Sequence, residues 1–114
     1  MSRRDKQRLD DLIEAIRRIT SYIGGLTYEQ FLEDSKTQDA VIRNLQVIGE
    51  AAKKLSQPLR KVHPHLPWKE MAGMRDRIVH EYFGIKFDIV WTVANQELPA
   101  VLPEIERIRS EQGA

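Results

Sequence analysis

Residues 41–56, VIRNLQVIGEAAKKLS, contain the pattern that decides the fold. Apolar residues recur there every three or four positions, with polar and charged residues between them. This period aligns the apolar side chains along one stripe of an α-helix and predicts a buried face. The predicted helix extends from about residue 36 to residue 56. Its predicted buried residues are Val41, Ile42, Leu45, Ile48, Ala52 and Leu55.

The same period occurs earlier in the chain. Residues 5–23 form a second predicted helix, which a pair of glycines ends. Thr27 with Gln30, and Ser35 with Gln38, have the spacing of capping boxes. The first pair would begin a short helix, and the second would begin the long one.

Proline and glycine divide the second half of the chain into shorter elements. Three prolines within residues 58–67 predict a connecting loop or a broken turn. After Gly73, a helix is predicted over residues 74–83; Asp88 would cap the next one, and Pro99 would kink or restart it. No segment carries a convincing strand pattern. The fold predicted is an all-α, up-and-down bundle of four to five helices.

Length and composition limit the classes of protein. A chain of 114 residues is the size of one domain, so we expect a single domain over residues 1–114. The 18 basic and 17 acidic residues nearly cancel, although a local basic patch is compatible with that balance. The absence of cysteine excludes disulfides, thiolate zinc sites and cysteine nucleophiles. The sequence shows neither the apolar core of a signal peptide nor an apolar run of roughly 20 residues. It therefore predicts a cytoplasmic protein with no membrane span.

Residues 74–84, MRDRIVHEYFG, combine an arginine, a histidine and a tyrosine. On one continuous helix, Arg75, Val79 and Tyr82 would share a stripe, and Asp76 and His80 would share another, with His80 about 140° from Arg75. One interpretation is structural: the apolar residues pack, Asp76 orients His80 from one turn away, and Arg75 is solvated.

The other interpretation is chemical. The guanidinium of Arg75 suits a phosphate, and the imidazole of His80 can move a proton near neutral pH. Together they suit cleavage of RNA, in which the neighbouring 2′-hydroxyl attacks and no metal is required. One histidine cannot easily serve both ends of the displacement, and Arg75 and His80 diverge around one helix. A second copy of the chain across a two-fold axis is therefore predicted to complete the cleft.

The segment RDRIVHEY, residues 75–82, also resembles a known motif. Arginine, four residues, histidine, any residue and tyrosine mark the HepT-like toxins of the HEPN superfamily. The segments VIRNLQVIGEAAKKLS and LPWKEMAGMRDRIVHEYFGI look like family segments in the same order, so the resemblance covers roughly residues 5–108. It implies a helical homodimer in which Arg75 and His80 of both subunits line a cleft that cuts RNA.

The resemblance also implies a partner. Such toxins pair with an antitoxin, a small MNT-type nucleotidyltransferase, which neutralises the toxin by adding AMP to the motif tyrosine, here Tyr82. Asp76 departs from the pattern, because asparagine is common beside the arginine. This departure bears only on the rate of RNA cleavage. Two alternatives stay open: a non-catalytic helical module that binds a nucleotide or docks a nucleotidyltransferase, and a structural dimerisation domain.

For the other candidate residues, structural roles are favoured over chemical ones. His63 and His65 could hold a metal with a third ligand such as His80, but a solvated loop is favoured, and neither a metal nor a cofactor is predicted. Glu50 is predicted to pair with Lys54 one turn later, without a chemical role. Gly49 would let another helix approach closely, and both tryptophans, Trp68 and Trp91, are predicted to pack.

Overall fold

Two long amphipathic helices form the centre of the fold. The computed structural model describes residues 3–80 and 84–111, and of His80 only the main chain. The helices are α1 (Arg3–Ile23), α2 (Tyr28–Leu32), α3 (Ser35–Lys54), α4 (Gln57–Val62), α5 (Trp68–Ala72), α6 (Met74–Ile78), α7 (Phe87–Thr92) and α8 (Leu98–Glu111). The predicted all-α bundle is confirmed.

The core lies where α1 and α3 pack along their lengths, with α8 against α1. Every residue predicted to be buried on α3 joins this core, although Ile42 is only partly buried. The predicted apolar stripe of α1 is buried as well, from Leu9 to Ile23. The three- and four-residue spacing therefore identifies the core faces of both helices correctly.

The starts of α2 and α3 differ from each other. Thr27 and Gln30 form the predicted capping box of α2. The second predicted box is wrong, because Asp34 caps α3 and accepts a hydrogen bond from the Thr37 amide at 3.0 Å. The buried Gln38 amide instead donates to the carbonyls of Phe31 and Leu32, at 2.9 and 3.1 Å. These two hydrogen bonds fasten α3 to the end of α2.

The proline-rich segment is more helical than its composition predicts. Ser56 caps α4, and Pro58 lies in the first turn of this helix, where its missing N–H costs no hydrogen bond. The predicted loop is therefore confined to the residues between α4 and α5. Gly73 separates α5 from α6, as predicted.

The helix predicted over residues 74–83 is wrong beyond Ile78. Val79 and His80 form β1, which pairs antiparallel with β2, Gly84–Ile85. No strand was predicted, and this two-residue β-ladder shows that the prediction is wrong here. β-branched Val79 suits extended backbone, and Gly84 adopts a φ of 78°, which favours glycine. Residues 81–83, between the strands, lie outside the described residues.

The last helical run contains a register change. A π-helical segment, Val93–Glu97, separates α7 from α8. Pro99 has no N–H to donate four residues back, and the preceding Leu98 N–H bonds to Val93, five residues back. Pro99 thus alters the helix as predicted. The predicted Asp88 cap is wrong, because α7 begins at Phe87, with Asp88 in its first turn.

Among the described residues, no helix is both long and apolar enough to cross a membrane.

Candidate functional site

Arg75 lines a cavity between four helices. It is exposed near the start of α6, directly after the break at Gly73. The cavity has a volume of about 450 Å³ and is lined by α1, α3 and the α5–α6 junction. Its lining residues are Arg8, Asp11, Arg43, Gln46, Val47, Gly49, Glu50, Ala51, Lys53, Ala72 and Arg75.

The charge around this cavity is predominantly positive. Four cationic side chains face two carboxylates. The carboxylates are occupied by neighbours on their own helices: Asp11 accepts from Arg8 at 3.3 Å, and Glu50 lies 3.9 Å from Lys53. In the described part of the chain, no carboxylate pairs with Arg43 or Arg75. These two guanidinium groups are therefore available to an anion from outside.

The other arginine of the motif has a different environment. Arg77 forms a two-pronged ion pair with Glu97 on the π-helical segment, with N–O distances of 2.9 and 3.2 Å. These hydrogen bonds with Glu97 raise the pKa of Arg77 above its ordinary value. Arg77 joins α6 to the last helical run, whereas Arg75 is left facing the cavity. The sequence alone did not distinguish their roles.

The close packing of α3 on α5 and α6 determines where Arg75 lies. A Cβ atom on Gly49 would come within 3.6 Å of the Met71 carbonyl oxygen and 3.7 Å of the Ala72 carbonyl oxygen. Gly49 therefore allows the close helix approach predicted for it. Arg75 lies only three residues beyond Ala72. The packing of α3 at Gly49 against the end of α5 therefore fixes the start of α6 beside the cavity.

The remaining motif residues are described only in part. The main chain of His80 pairs with Gly84, but its side chain and all of Tyr82 lie outside the described structure. Asp76 is exposed on α6. Because the helix ends at Ile78, the predicted stripes, the 140° separation and the helical contact of Asp76 with His80 do not apply. The antiparallel pairing of β1 with β2 replaces them.

A second group of titratable side chains lies on another part of the surface. His63 and His65 approach Glu104 on α8, with one candidate ligand atom of each within 4.8 Å of the others. His65 Nε2 is 2.7 Å from a Glu104 carboxylate oxygen. Hydrogen bonds from Arg107 and His65 lower the pKa of Glu104 from its ordinary 4.5 to about 2. The predicted solvated loop is wrong for His63, which is only 9% exposed.

The structure shows the contacts of Trp68, Trp91 and Glu50. Trp68 is buried and donates from its indole nitrogen to the His63 carbonyl at 2.8 Å. Trp91 packs its ring against Phe31, with centroids 5.3 Å apart. Both tryptophans pack, as predicted. The partner of Glu50 is Lys53, three residues away, and not the predicted Lys54.

Sequence reasoning missed the basic cavity. The available signal was a second, polar stripe on α3, in which Arg43, Gln46, Glu50 and Lys53 recur at three- and four-residue steps. The sequence did not show that Arg8 and Arg75 would meet this stripe, because α1, α3 and α6 are distant in the chain. The assembled site defines a helical protein suited to binding phosphate groups.

Comparison with known proteins identifies the family. Residues 12–108 match the family model described as Ribonuclease HepT-like. The chain is 40% identical to "Probable ribonuclease HepT" of Thermococcus cleftensis, over 96% of this chain and 99% of that protein. It is 43% identical to "Putative RNase MJ0127" of Methanocaldococcus jannaschii, over 88% of this chain and 83% of that one.

A bacterial relative is similar over nearly the same length. "Putative RNase TTE0752" of Caldanaerobacter subterraneus is 34% identical over 91% of this chain and 93% of that protein. No solved structure matches this chain. The protein belongs to the HepT-like ribonuclease family, and the family predicted from its motif is confirmed.

Proposed function

We propose that the protein is an endoribonuclease toxin that cuts RNA with Arg75 and His80. The observation that carries this proposal is the position of Arg75, exposed beside a basic cavity and free of carboxylates in the described structure. Family membership supports it, because the relatives are named as ribonucleases. The cavity supplies what the overall charge of the chain lacks, a local surface for a phosphate backbone.

The proposed reaction is an internal phosphoryl transfer. The 2′-hydroxyl oxygen bonds to the adjacent phosphorus, and the bond from that phosphorus to the 5′-oxygen breaks. One imidazole takes the proton of the 2′-hydroxyl, and an imidazolium gives a proton to the departing 5′-oxygen. Arg75 stabilises the charge on the phosphate oxygens in the transition state. The products are a 2′,3′-cyclic phosphate and a 5′-hydroxyl.

This chemistry requires two histidines for one cut. Each chain supplies one His80, so we propose a homodimer in which both copies border a shared cleft. The proposed cleavage uses no metal, since arginine and histidine perform both the charge stabilisation and the proton transfer. The His63–His65–Glu104 group does not line the cavity beside Arg75.

Cleavage by purified protein tests the assignment. Arg75→Ala should lower the cleavage rate on the order of a hundredfold or more, because a transition-state contact is lost. The matched control is Arg77→Ala, two residues away on α6, which removes an ion pair with Glu97 and should leave most of the cleavage. RNA should be cut in the presence of EDTA, with cyclic phosphate ends. Full activity of Arg75→Ala, or equal loss in both variants, would contradict the role of Arg75.

Regulation by modification is the second part of this proposal. By family resemblance, an MNT-type nucleotidyltransferase antitoxin adds AMP to Tyr82, two residues after His80. The added phosphate would compete with RNA for the free guanidinium groups, and the adenosine would obstruct the site. This mode of inhibition needs no unfolding of the toxin.

Tyr82→Phe tests this regulation. The variant should keep its toxicity on expression alone, because it retains Arg75, His80 and the aromatic ring. Co-expression with the partner should rescue cells that carry the native chain and not those that carry the variant. Intact-mass measurement should show AMP on the native chain only. If the partner still modifies and silences the variant, Tyr82 is not the target.

A further inference from the structure

The group formed by His63, His65 and Glu104 has the composition of a transition-metal site. Two imidazoles and one carboxylate are ligands that Zn²⁺ accepts, with a fourth position left for water. The three candidate ligand atoms lie within 4.8 Å of one another. Tetrahedral ligands around Zn²⁺ are about 3.3 Å apart, so closure by up to about 1.5 Å would complete the set.

The two histidines are held in a fixed relation by the main chain. The Leu66 N–H donates to the His63 carbonyl at 3.3 Å and closes a turn in which Pro64 occupies the position that favours proline. The buried Trp68 indole donates to the same carbonyl at 2.8 Å. His63 and His65 therefore lie on one restrained turn, and ordering them around an ion costs little conformational entropy.

His63 is the more informative ligand. Only 9% of the surface of His63 is exposed. In the described structure, no group forms a hydrogen bond with the His63 ring. The neighbouring ring is that of His65, and the two ring centroids are 6.1 Å apart. A bound ion on this side of the ring would provide it with a partner.

Glu104 is already prepared to act as a ligand. Arg107, one turn later on α8, donates to both carboxylate oxygens, and its Nε lies 2.9 Å from Oε2. Second-shell hydrogen bonds of this kind orient metal-bound carboxylates and keep them ionised. His65 Nε2 lies 2.7 Å from Oε1, which it shares with Arg107. An ion between them would replace a direct hydrogen bond with two coordinate bonds.

We propose that His63, His65 and Glu104 bind one Zn²⁺ ion, which fastens the turn between α4 and α5 to α8. The site is independent of the proposed cleavage, because none of its residues lines the cavity beside Arg75. His65 is 55% exposed by side chain, so the ion can enter from solvent and the ring can rotate to close the set. The ion stabilises the fold by binding the native chain and not the unfolded one.

Zinc titration of the full-length chain without an affinity tag tests this proposal. The protein is first freed of metal with a chelator, then titrated in a calorimeter at neutral pH. One Zn²⁺ should bind per chain, and a hundredfold excess over the dissociation constant should raise the thermal midpoint by about 5 °C or more. His65→Gln and Glu104→Gln should each weaken binding at least about tenfold.

The control is Glu106→Gln, which alters a carboxylate on the same helix that pairs with Arg17. Its zinc affinity should equal that of the native chain. Circular dichroism checks that each variant is folded, and the exposed position of His65 makes that variant the decisive one. Absence of zinc binding, or unchanged affinity in both His65→Gln and Glu104→Gln, would overturn the proposal.

Discussion

At the residue scale, Asp5 is the side chain whose role the sequence concealed. It lies in the first turn of α1, beside basic residues that suggest a solvated terminus, yet only 2% of its surface is exposed. Its carboxylate accepts hydrogen bonds from the Ser56 amide at 2.9 Å and from the Ser56 hydroxyl at 2.6 Å. Asp5 thus ties the start of α1 to the cap of α4, across 51 residues of chain.

Replacing Asp5 tests the contribution of this contact. Asp5→Ala should lower the free energy of unfolding by about 2–3 kcal/mol, because the partly buried amide and hydroxyl of Ser56 lose a charged acceptor. Urea denaturation measures the change. Asp39→Asn, an exposed aspartate on α3, is the control and should stay within about 0.5 kcal/mol of the native chain. Equal effects of the two substitutions would show that Asp5 contributes no more than a surface charge.

At the scale of elements, Gly49 determines how closely α3 approaches α5 and α6. A Cβ atom there would make ordinary contacts, at 3.6 Å to the Met71 carbonyl oxygen and 3.8 Å to the Met74 Cβ. One methyl group therefore fits, and a longer side chain would come closer to these atoms. The helix period identified α3 from sequence, whereas this limit on its neighbours depends on the packed helices.

Two substitutions at Gly49 should have opposite effects. Gly49→Ala should raise the free energy of unfolding by up to about 1 kcal/mol, because alanine favours the helix. Gly49→Leu should lower it by about 1–3 kcal/mol through overpacking. It should also slow RNA cleavage, since it displaces the α5–α6 junction that carries Arg75. If both variants are destabilised equally, the space at Gly49 is smaller than its contacts indicate.

At the scale of the whole molecule, the proposed site depends on two copies of the chain. The original geometric reason, divergence of Arg75 and His80 around one helix, is removed because α6 ends at Ile78. The chemical reason remains: one histidine cannot easily both take and give a proton within one displacement. Dimerisation is therefore a proposal based on mechanism and on family resemblance.

Mixed dimers test this requirement. Combining the native chain with an excess of His80→Ala chain should lower cleavage well below that of the same amount of native chain alone, because a mixed cleft keeps only one of the two histidines. Cleavage is measured after unfolding and refolding the two chains together. Sedimentation at micromolar concentration measures the mass. An active monomer, or mixtures as active as the native chain alone, would contradict the shared cleft.

The sequence by itself determined the all-α class, the core faces of α1 and α3 and the family, because periodic burial and a motif are local patterns. Tertiary structure decided the end of α6 at Ile78, since pairing with Ile85 and Lys86 competes with continued helix there. It also decided which arginine is free: Glu97 holds Arg77, and α1 and α3 place cations beside Arg75. The free arginine depends on residues distant in the chain, and the end of α6 depends on a strand pairing that helical periodicity does not encode.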